Sequence, residues 1–589
     1  KAAEALSPCA HMGQRSLLWR EQRDQQRALA PPHSGVPDKP HVVLWLTDDQ
    51  GWSNVGYHNP HVHTPNMDRL AKHGVTLERH YTFPWCAPSR ASLMTGRMPH
   101  RGFQEAGQRV PRDMRMLSQL MRDAGYSTHH VGKWHLGLTR AWQYPTSRGF
   151  DTSLGFMGGG VDYVSSRISD HALGDDWTCA GVDLQQNGGP ASGRDGVFSG
   201  TWIGAEIDWA VYNRTQSKPM FLYVALQAMH SPTPGVEVLR PFMTHYREQK
   251  EGPRFAASAA LISHADQLLG RLVHSLRDAG MWDETLVIHL SDNGGQVNWV
   301  EEEVQGNNWP LRGMKRSLFE GGVRVPAFVG GGALPYPARG RVLDGYVHLA
   351  DWFATLRELS GSAEEAPQGS LSMAPYLLGA AGSSPRTEVV LAAGNSGSTI
   401  SYVEAVIRGP WKLINGSTPC GWDTYQGEHF PNRSSSATRP PGFMQPGCDT
   451  AAVTLLFNID TDPNEVENLA DSPMAGGRLA DLFELLAQAR SEATPFEMDH
   501  DRAFDHATQL GWCEATRDAR GGYLGPYMEG RPATRDEYEA QLRANPQLRR
   551  RPLDPSELPS ELPPSYTEAA RVVYTDDWRG LHNARPEFI

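Results

Sequence analysis

Two continuous apolar runs of strand length constrain the fold more than any other feature of the sequence. They read HVVLWLT at residues 41–47 and TLVIHLS at residues 285–291. Runs of this kind are typical of parallel strands that are covered on both faces of a sheet. Further strands are predicted at residues 126–131, 220–227 and 327–330, with helical patterns between them. The alternation predicts an α/β fold with a large, mostly parallel sheet flanked by helices.

Polar side chains follow both apolar runs. Asp48 and Asp49 follow the first run, and Asp292 and Asn293 follow the second. Open α/β sheets bind ligands outside the carboxyl ends of their strands. A solvated turn would explain either pair alone, but adjacent carboxylates repel each other unless a cation compensates their charge. An all-oxygen set of this kind favours Ca²⁺ or Mg²⁺ over zinc.

A single cysteine stands in the segment PWCAPSRASLMTG at residues 84–96. Pro88 suits the first turn of a helix and Gly96 suits its end, so the sequence predicts a helix that begins near Cys86. The N-terminus of a helix attracts anions and would lower the pKa of a thiol, and Arg90 adds a fixed cation. The alternative is a buried or disulfide-bonded cysteine beside a structural arginine.

Three more segments place cations and histidines after predicted strands. In GKWHLG at residues 132–137, Lys133 and His135 lie two residues apart and can face one ligand together. His230 follows the strand at residues 220–227 and is as well explained as a packed histidine. Lys315 lies in the segment 307–326, whose many glycines suggest a backbone that approaches a ligand closely.

Taken together, these motifs resemble the signatures of the sulfatase family. The first signature matches CAPSR followed by TGR, and the second matches GYST followed by GKWHLG. The segment 307–326 looks very like its counterpart in the arylsulfatase B (N-acetylgalactosamine-4-sulfatase) branch of the family. The likeness covers roughly residues 40–500 with the motifs in family order. It implies an alkaline-phosphatase-like fold and an arylsulfatase-type enzyme that hydrolyses sulfate esters of sulfated sugars or aryl alcohols.

The resemblance also implies roles for the residues that match. A formylglycine-generating enzyme would oxidise Cys86 to formylglycine, whose hydrated aldehyde is the nucleophile. Calcium, rather than Mg²⁺, would be held by the four oxygen ligands together with residue 86. Arg90 would steady residue 86, and Lys133 and Lys315 would hold the sulfate. His135 would act as general base, and His230 or Lys315 would protonate the leaving alcohol, with Asp292 sharing in the proton transfers.

Two departures from the arylsulfatase B branch concern the substrate. Ser231 stands where that branch has a charged residue, and Gln368 replaces the aspartate of a usual Asp-Gly pair. Two rival functions remain open. One is a phosphonate or phosphate monoester hydrolase of the same superfamily, and the other is a sulfated-glycan binder that has lost turnover.

The pattern of strands changes after about residue 380. Strands at residues 387–392, 401–408, 411–414 and 455–459 have short or Gly/Pro-rich connections, and one helix follows at residues 477–491. Such connections predict a small α+β domain built on an antiparallel sheet. The predicted organisation is an N-terminal arm at 1–39, a catalytic domain at 40–380, the antiparallel-sheet domain at 381–500 and an extended, loop-like tail at 501–589.

Net charge and cysteine content limit the possible binding partners and the cellular compartment of the protein. The net charge of −12 over 589 residues argues against nucleic acid, and no apolar run is long enough to span a bilayer. Six cysteines are too few for a disulfide scaffold, and the expected bridge is Cys420–Cys448, with Cys179–Cys513 a second possibility. Sequons at Asn213, Asn415 and Asn432 permit glycosylation. We expect a glycoprotein of the secretory pathway, either secreted or delivered to a lysosome or vacuole.

Overall fold

The computed structural model describes nine ranges of the chain, and every structural statement below concerns them. They are residues 37–104, 110–168, 179–194, 196–246, 253–296, 306–394, 403–416, 453–494 and 506–526. Residues 1–36 of the predicted arm, residues 527–589 of the predicted tail, Cys420, Cys448 and Asn432 lie outside the described residues.

The strands in chain order are β1 (His41–Thr47), β2 (Val75–Tyr81), β3 (Ser127–Lys133), β4 (Thr152–Phe156), β5 (Arg167–Ile168), β6 (Gly181–Val182), β7 (Gln185–Gln186), β8 (Gly189–Pro190), β9 (Met220–Ala225), β10 (Thr285–Ser291), β11 (Arg324–Gly330), β12 (Arg341–Leu343), β13 (Val347–His348), β14 (Glu388–Ala392), β15 (Val403–Arg408), β16 (Trp411–Gly416) and β17 (Val453–Asn458).

The α-helices are α1 (Pro65–His73), α2 (Cys86–Thr95), α3 (Leu117–Asp123), α4 (Ser199–Asn213), α5 (Val236–Leu239), α6 (Pro253–Asp278), α7 (Glu320–Val323), α8 (Asp351–Leu359), α9 (Ala374–Leu377), α10 (Gly476–Glu492) and α11 (His506–Ala519). Short 3₁₀ turns lie at Ala141–Gln143, Pro145–Arg148, Phe242–Tyr246, Trp282–Glu284 and Tyr336–Ala338. None of the helices in these ranges has the length and apolar character needed to cross a bilayer.

An eleven-stranded sheet forms the centre of the fold. Its order is β12-β2-β11-β10-β1-β9-β3-β4-β7-β8, with β13 also paired to β2. The strands β10, β1, β9, β3 and β4 run parallel to one another. By contrast, β11 runs antiparallel to both β10 and β2. The sheet is therefore mixed but mostly parallel, which confirms the predicted fold class.

The continuous apolar sequence of β1 has a direct structural cause. Val43 and Trp45 pack into the hydrophobic core on one face of the sheet, whereas Val42, Leu44 and Leu46 pack into the core on the other face. All five side chains are inaccessible to solvent. Because burying one such aliphatic side chain contributes about 1.5–3 kcal/mol, the hydrophobic effect fixes the strand in the middle layer.

A second sheet, of order β14-β15-β16-β17, is antiparallel throughout. Helix α10 covers one face, where Leu482 and Leu486 pack with Leu413 and Leu456. The other face packs on residues of the first sheet and its loops, including Tyr81 and Phe319. The predicted C-terminal antiparallel sheet with one helix is thus present. The exact domain boundaries stay a prediction.

Two features were not anticipated by the sequence patterns. Strand β2, which carries the charged residues Glu78 and Arg79, pairs with β11, β12 and β13. The loop-like composition after residue 500 does not predict α11, whose Cys513 forms a disulfide with Cys179. This bridge was the less favoured of the two candidates. It ties the start of the predicted tail to the region around β6.

Candidate active site

The ends of β1 and β10 bring four candidate metal ligands together. The two strands are parallel neighbours in register, with Thr47 opposite Ser291, so the residues that follow them emerge side by side. The backbone N–H of Asp49 donates to Asp292 Oδ1 at 3.2 Å, and Asn293 Nδ2 donates to Asp49 Oδ1 at 2.7 Å. All four side chains of the set, Asp48, Asp49, Asp292 and Asn293, are almost fully buried.

The backbone at Asp49 adopts a conformation that few residues tolerate. Its φ is 57°, in the left-handed region, where aspartate is less disfavoured than most residues that carry a Cβ atom. Such conformations persist only where the surroundings enforce them, and they cluster at functional sites. Here the turn aims the Asp49 carboxylate at Lys315 rather than along the strand.

Helix α2 presents Cys86 at its N-terminal end, as predicted. The helix runs from Cys86 to Thr95, every residue in it is buried, and Gly96 ends it with φ 68°. A Cβ atom at Gly96 would lie 2.6 Å from Cβ of Phe353, so α2 can end there only with glycine. Cys86 is a free thiol and is 2% exposed.

Arg90 lies one turn after Cys86 and contacts a carboxylate from each strand end, with a terminal nitrogen 3.7 Å from Asp48 Oδ1. Its Nε donates to Asp292 Oδ2 at 2.9 Å, and a terminal nitrogen lies 2.8 Å from the same oxygen. The other terminal nitrogen donates to the backbone carbonyl of Lys133 at 3.3 Å. Since Arg90 is wholly buried, these contacts compensate a charge that would otherwise be very costly. The arginine is therefore a fixed cation beneath Cys86.

Lys133 and Lys315 supply the other two buried cations. Lys133, the last residue of β3, places Nζ 2.6 Å from Asp48 Oδ2. Lys315 Nζ lies 2.8 Å from Asp49 Oδ1 and 5.1 Å from the centre of the Trp85 ring. We call these three cations and three carboxylates, Arg90, Lys133, Lys315, Asp48, Asp49 and Asp292, the charge cluster. Its formal charges sum to zero.

The two candidate histidines border the charge cluster and are partly exposed. His135 has φ 56°, and its buried Nδ1 has no hydrogen-bond partner in the described part of the chain. A Cβ atom at Gly159 would lie 3.0 Å from His135 Nε2, so the glycine-rich stretch leaves room for this ring. His230 Nδ1 lies 2.6 Å from the carbonyl oxygen of Ser231. Both rings can therefore meet solvent or a ligand.

The surroundings shift the pKa of both histidines and of two carboxylates at the site. Burial lowers the pKa of His135 well below its usual value, and Lys133 and Arg90 lower it further. Burial and Lys315 lower the pKa of His230 to about 3. Burial and the neighbouring Asp48 raise the pKa of Asp292 to about 6. Although burial opposes its ionisation, Asp49 keeps a pKa below the usual range because Lys315 and His230 favour its charged form.

The expected lowering of the Cys86 thiol pKa is wrong. Burial raises it, and the attraction of Lys133 and Lys315 only partly offsets that effect. The physical reason is that a thiolate at this position would lose its hydration, and Asp48 and Asp292 repel it as well. The unmodified cysteine is therefore not an activated thiolate nucleophile.

The donor set fits a hard divalent cation. Oxygens of Asp48 and Asp292 and the sulfur of Cys86 lie within 4.8 Å of one another, and a second such group joins Asp48, Asp49 and His230. Asp48 Oδ1 and Asn293 Oδ1 are buried and accept no hydrogen bond from the described residues. A hard cation bound by these oxygens would satisfy them.

The structure thus brings together every site residue that the sequence predicts. Their functional roles stay predictions. It adds Arg316, whose guanidinium stacks on Trp85 at 4.3 Å and whose backbone N–H donates to the Pro84 carbonyl at 2.7 Å. Arg316 has φ 77°. The sequence contains one indication of Arg316, its position next to Lys315. Nothing in the sequence predicted its contact with Trp85.

Known proteins resemble the chain in sequence and in fold. The family model described as Sulfatase matches residues 40–362. Arylsulfatase J of Mus musculus is 32% identical over 509 residues, with 81% of each chain covered. N-acetylgalactosamine-6-sulfatase of Homo sapiens is 30% identical over 366 residues, covering 59% of this chain and 67% of that one. The crystal structure of Ps i-CgsB in complex with k-i-k-neocarrahexaose has a TM-score of 0.61 and 25% identity, covering 80% of this chain and 97% of that chain.

Proposed function

The chain belongs to the sulfatase family and is a sulfuric ester hydrolase, and we propose that it cleaves sulfate esters of sulfated carbohydrates at the charge cluster. The observation that carries the proposal is the convergence of Arg90, Lys133 and Lys315 around Cys86, beside an all-oxygen cation site. Fixed positive groups aimed at one point are what transfer of a tetrahedral oxyanion requires. Two relatives support the substrate class, one named for N-acetylgalactosamine and one solved with a neocarrahexaose.

The nucleophile in this proposal is residue 86 after conversion of the cysteine to formylglycine by a formylglycine-generating enzyme. The hydrated aldehyde would supply a hydroxyl group in place of the thiol. That exchange fits the raised thiol pKa of Cys86, since a thiolate is disfavoured in this pocket. Arg90 lies one helical turn away and would hold the modified side chain in place.

The bound metal in this proposal is Ca²⁺, with Mg²⁺ less favoured. Asp48, Asp49, Asp292 and Asn293 would hold it together with residue 86. When bound, the cation would polarise the sulfate group and offset negative charge on its oxygens. Lys133 and Lys315 would then interact with the sulfate oxygens as well as with the carboxylates.

Proton transfer in this proposal uses the two histidines and Lys315. His135 is neutral at physiological pH and would accept a proton from residue 86. An anionic sulfate ester beside it would raise its pKa again, because the ester offsets the charges of Lys133 and Arg90. Lys315 keeps its proton in the free protein, since Asp49 raises its pKa against the effect of burial. Lys315 or His230 would protonate the departing alcohol oxygen, with Asp292 sharing in the transfers.

We also propose a secretory location and the domain organisation given by the sequence. The Cys179–Cys513 disulfide suits an oxidising compartment, where formylglycine would also be made. Asn213 is exposed and available for glycosylation. The catalytic domain is assigned to 40–380, the antiparallel-sheet domain to 381–500, and the N-terminal arm and C-terminal tail to the remaining ends.

Two assays of the native protein test the proposal against its rivals. Mass spectrometry of the peptide containing residue 86 should find the aldehyde, whereas an unmodified cysteine would favour a glycan binder without turnover. Release of sulfate from an aryl sulfate and from sulfated sugars should exceed release of phosphate from an aryl phosphate. The Cys86→Ala variant is the matched control and should abolish sulfate release. Faster phosphate release would favour the phosphatase alternative and contradict the assignment.

A further inference from the structure

A cavity of about 490 Å³ lies at the opposite edge of the central sheet from the charge cluster. Its lining includes Gly331 and Gly332, which directly follow β11. A Cβ atom at Gly331 would meet the carbonyl oxygen of Thr285, the first residue of β10, at 2.1 Å. Asp292 follows the far end of the same strand. Seven residues of strand span roughly 23 Å, so the cavity is separate from the active site.

The cavity is lined by cations and aromatic rings. Four permanent cations contribute to it, and no carboxylate does, in a protein whose net charge is −12. We call it the basic pocket, and its charged and aromatic lining residues are Arg69, Lys72, His73, Arg277, Trp282, Tyr336 and Arg339. The carboxylates of Asp283 and Glu284 follow Trp282 along the chain but do not line the pocket.

Two of the arginines are held in fixed positions. Arg339 donates from Nε to the carbonyl of Leu334 and from a terminal nitrogen to the carbonyl of Gly332, each at 2.9 Å. Arg277 stacks over the Trp282 ring, with its guanidinium carbon 4.9 Å from the ring centre. Because guanidinium groups that are already oriented lose less conformational entropy on binding, they suit bidentate recognition of an oxyanion.

The remaining cations lie on α1 and are exposed, with Lys72 and His73 in its last turn. Arg69, Lys72 and His73 all face solvent at this edge. Cations in the last turn also stabilise a helix through its dipole, by about 0.3–1 kcal/mol each at an exposed site. That effect accounts for Lys72 and His73 at the end of α1 and for Arg277 at the end of α6, but not for Arg69 and Arg339. A shared anionic ligand would explain why cations from three separate segments of the chain line one cavity.

Tyr336 gives the pocket its chemical preference. Its side chain is 78% exposed, the highest value among the large exposed hydrophobic residues of the described ranges. An exposed ring beside a row of cations offers a flat apolar surface for a sugar ring, while the cations contact its anionic substituents. The volume suits one or two sugar residues. A bare inorganic ion would use the cations but not the tyrosine.

We propose that the basic pocket binds a sulfated oligosaccharide and so holds a second stretch of a polymeric substrate outside the active site. The substrate class rests on the proposed function, but binding at this pocket can be measured without turnover. The pocket would raise the affinity for long sulfated chains and leave the hydrolysis of a small aryl sulfate unchanged. Its contribution is therefore expected in KM for the polymer and not in kcat.

The test uses the full-length Cys86→Ala protein and a chondroitin sulfate hexasaccharide as the probe. Hydrogen exchange in peptides that cover residues 331–340 should slow when the hexasaccharide is added. Arg69→Ala/Lys72→Ala should abolish this protection and weaken binding about tenfold, and Tyr336→Ala should weaken it severalfold. The matched control, Arg122→Ala/Lys218→Ala, removes two exposed cations elsewhere and should bind like the parent.

Each of these binding measurements has an outcome that would overturn the proposal. Equal binding by Arg69→Ala/Lys72→Ala and the control variant would overturn it. Equal protection of residues 331–340 by inorganic sulfate would show that the pocket binds a simple anion. Equal protection by single-stranded DNA of the same charge would show that it binds polyanions in general. Either result would overturn the assignment of a sugar ligand. Failure of the unmutated protein to hydrolyse any sulfate ester would refute the proposed function. The binding measurements would still show whether the basic pocket binds the hexasaccharide.

Discussion

Replacement of Lys412 by methionine should destabilise the protein strongly, because Lys412 pairs with two buried carboxylates where the antiparallel sheet packs on the first. Its Nζ lies 2.9 Å from Glu320 Oε1 and 2.8 Å from Glu465 Oε1. All three side chains are wholly buried. Methionine keeps most of the volume of the lysine stem, so the change removes the charge and leaves a small cavity at most.

The magnitude follows from the two carboxylates that remain. Removing one partner of a buried ion pair costs about 3–5 kcal/mol, and here one cation serves two acids. Tyr81 donates a hydrogen bond to Glu320 at 2.8 Å, and the Glu320 backbone N–H donates to Glu465 at 2.6 Å, so neither acid can turn away freely. We expect the free energy of unfolding to fall by about 3–5 kcal/mol at pH 8.

The loss should be smaller at acidic pH. Burial raises the pKa of Glu465 to about 7, with Lys412 opposing and Glu320 reinforcing the shift. A raised carboxyl pKa means that the folded state binds the proton more tightly, so this acid lowers stability as pH rises from about 4.5 to about 7. Arg324 lies 3.5 Å from Glu320, and Arg312 donates to the backbone carbonyl of Glu465, so these charges remain in the variant. Without Lys412 the protonated form is favoured still more.

Chemical unfolding at pH 5 and pH 8 measures the effect. Lys412→Met/Glu465→Gln should recover part of the stability, since it removes one of the two facing acids, and Lys218→Met is the control at an exposed lysine. Turnover should also fall, because Glu320 lies in the segment that carries Lys315. A destabilisation below 1 kcal/mol, or one that is the same at both pH values, would refute the reasoning.

Three further predictions concern the site and its support. Gly159→Ala should lower kcat severalfold with little loss of stability, because the added methyl group would lie 3.0 Å from His135 Nε2; an unchanged kcat would show that the ring need not stay there. Cys179→Ser and Cys513→Ser should each lower the urea midpoint as much as the double variant does, because either change removes the same bridge. The bridge closes a loop of 334 residues and is expected to contribute about 2–5 kcal/mol to stability. Additive losses in the double variant would argue against the bridge. Treatment with EGTA should lower both turnover and the thermal midpoint, and Ca²⁺ should restore them better than Mg²⁺; at a concentration of 100 Kd the bound ion adds about 2.7 kcal/mol. Asp49→Asn should be insensitive to the chelator, and an equal response of this variant would contradict the assigned ligand.

The sequence by itself predicted the parts of the site that depend on local rules. An apolar run that ends in two carboxylates is recognisable because both faces of a central strand are buried and its end is not. Cys86 at the start of α2 followed from Pro88 and Gly96, whose backbone preferences act within one helical turn. The family resemblance rested on these same short segments.

Only the tertiary structure decided which charges meet. The pairing of Asp49 with Lys315, 266 residues apart, depends on the β1–β10 register and on a long segment that returns to the sheet. The raised thiol pKa of Cys86 reflects burial by the whole fold, and the Cys179–Cys513 bridge reflects how α11 packs on distant residues. Local preferences reach a few residues along the chain, whereas desolvation and ion pairing depend on neighbours that only the folded chain supplies.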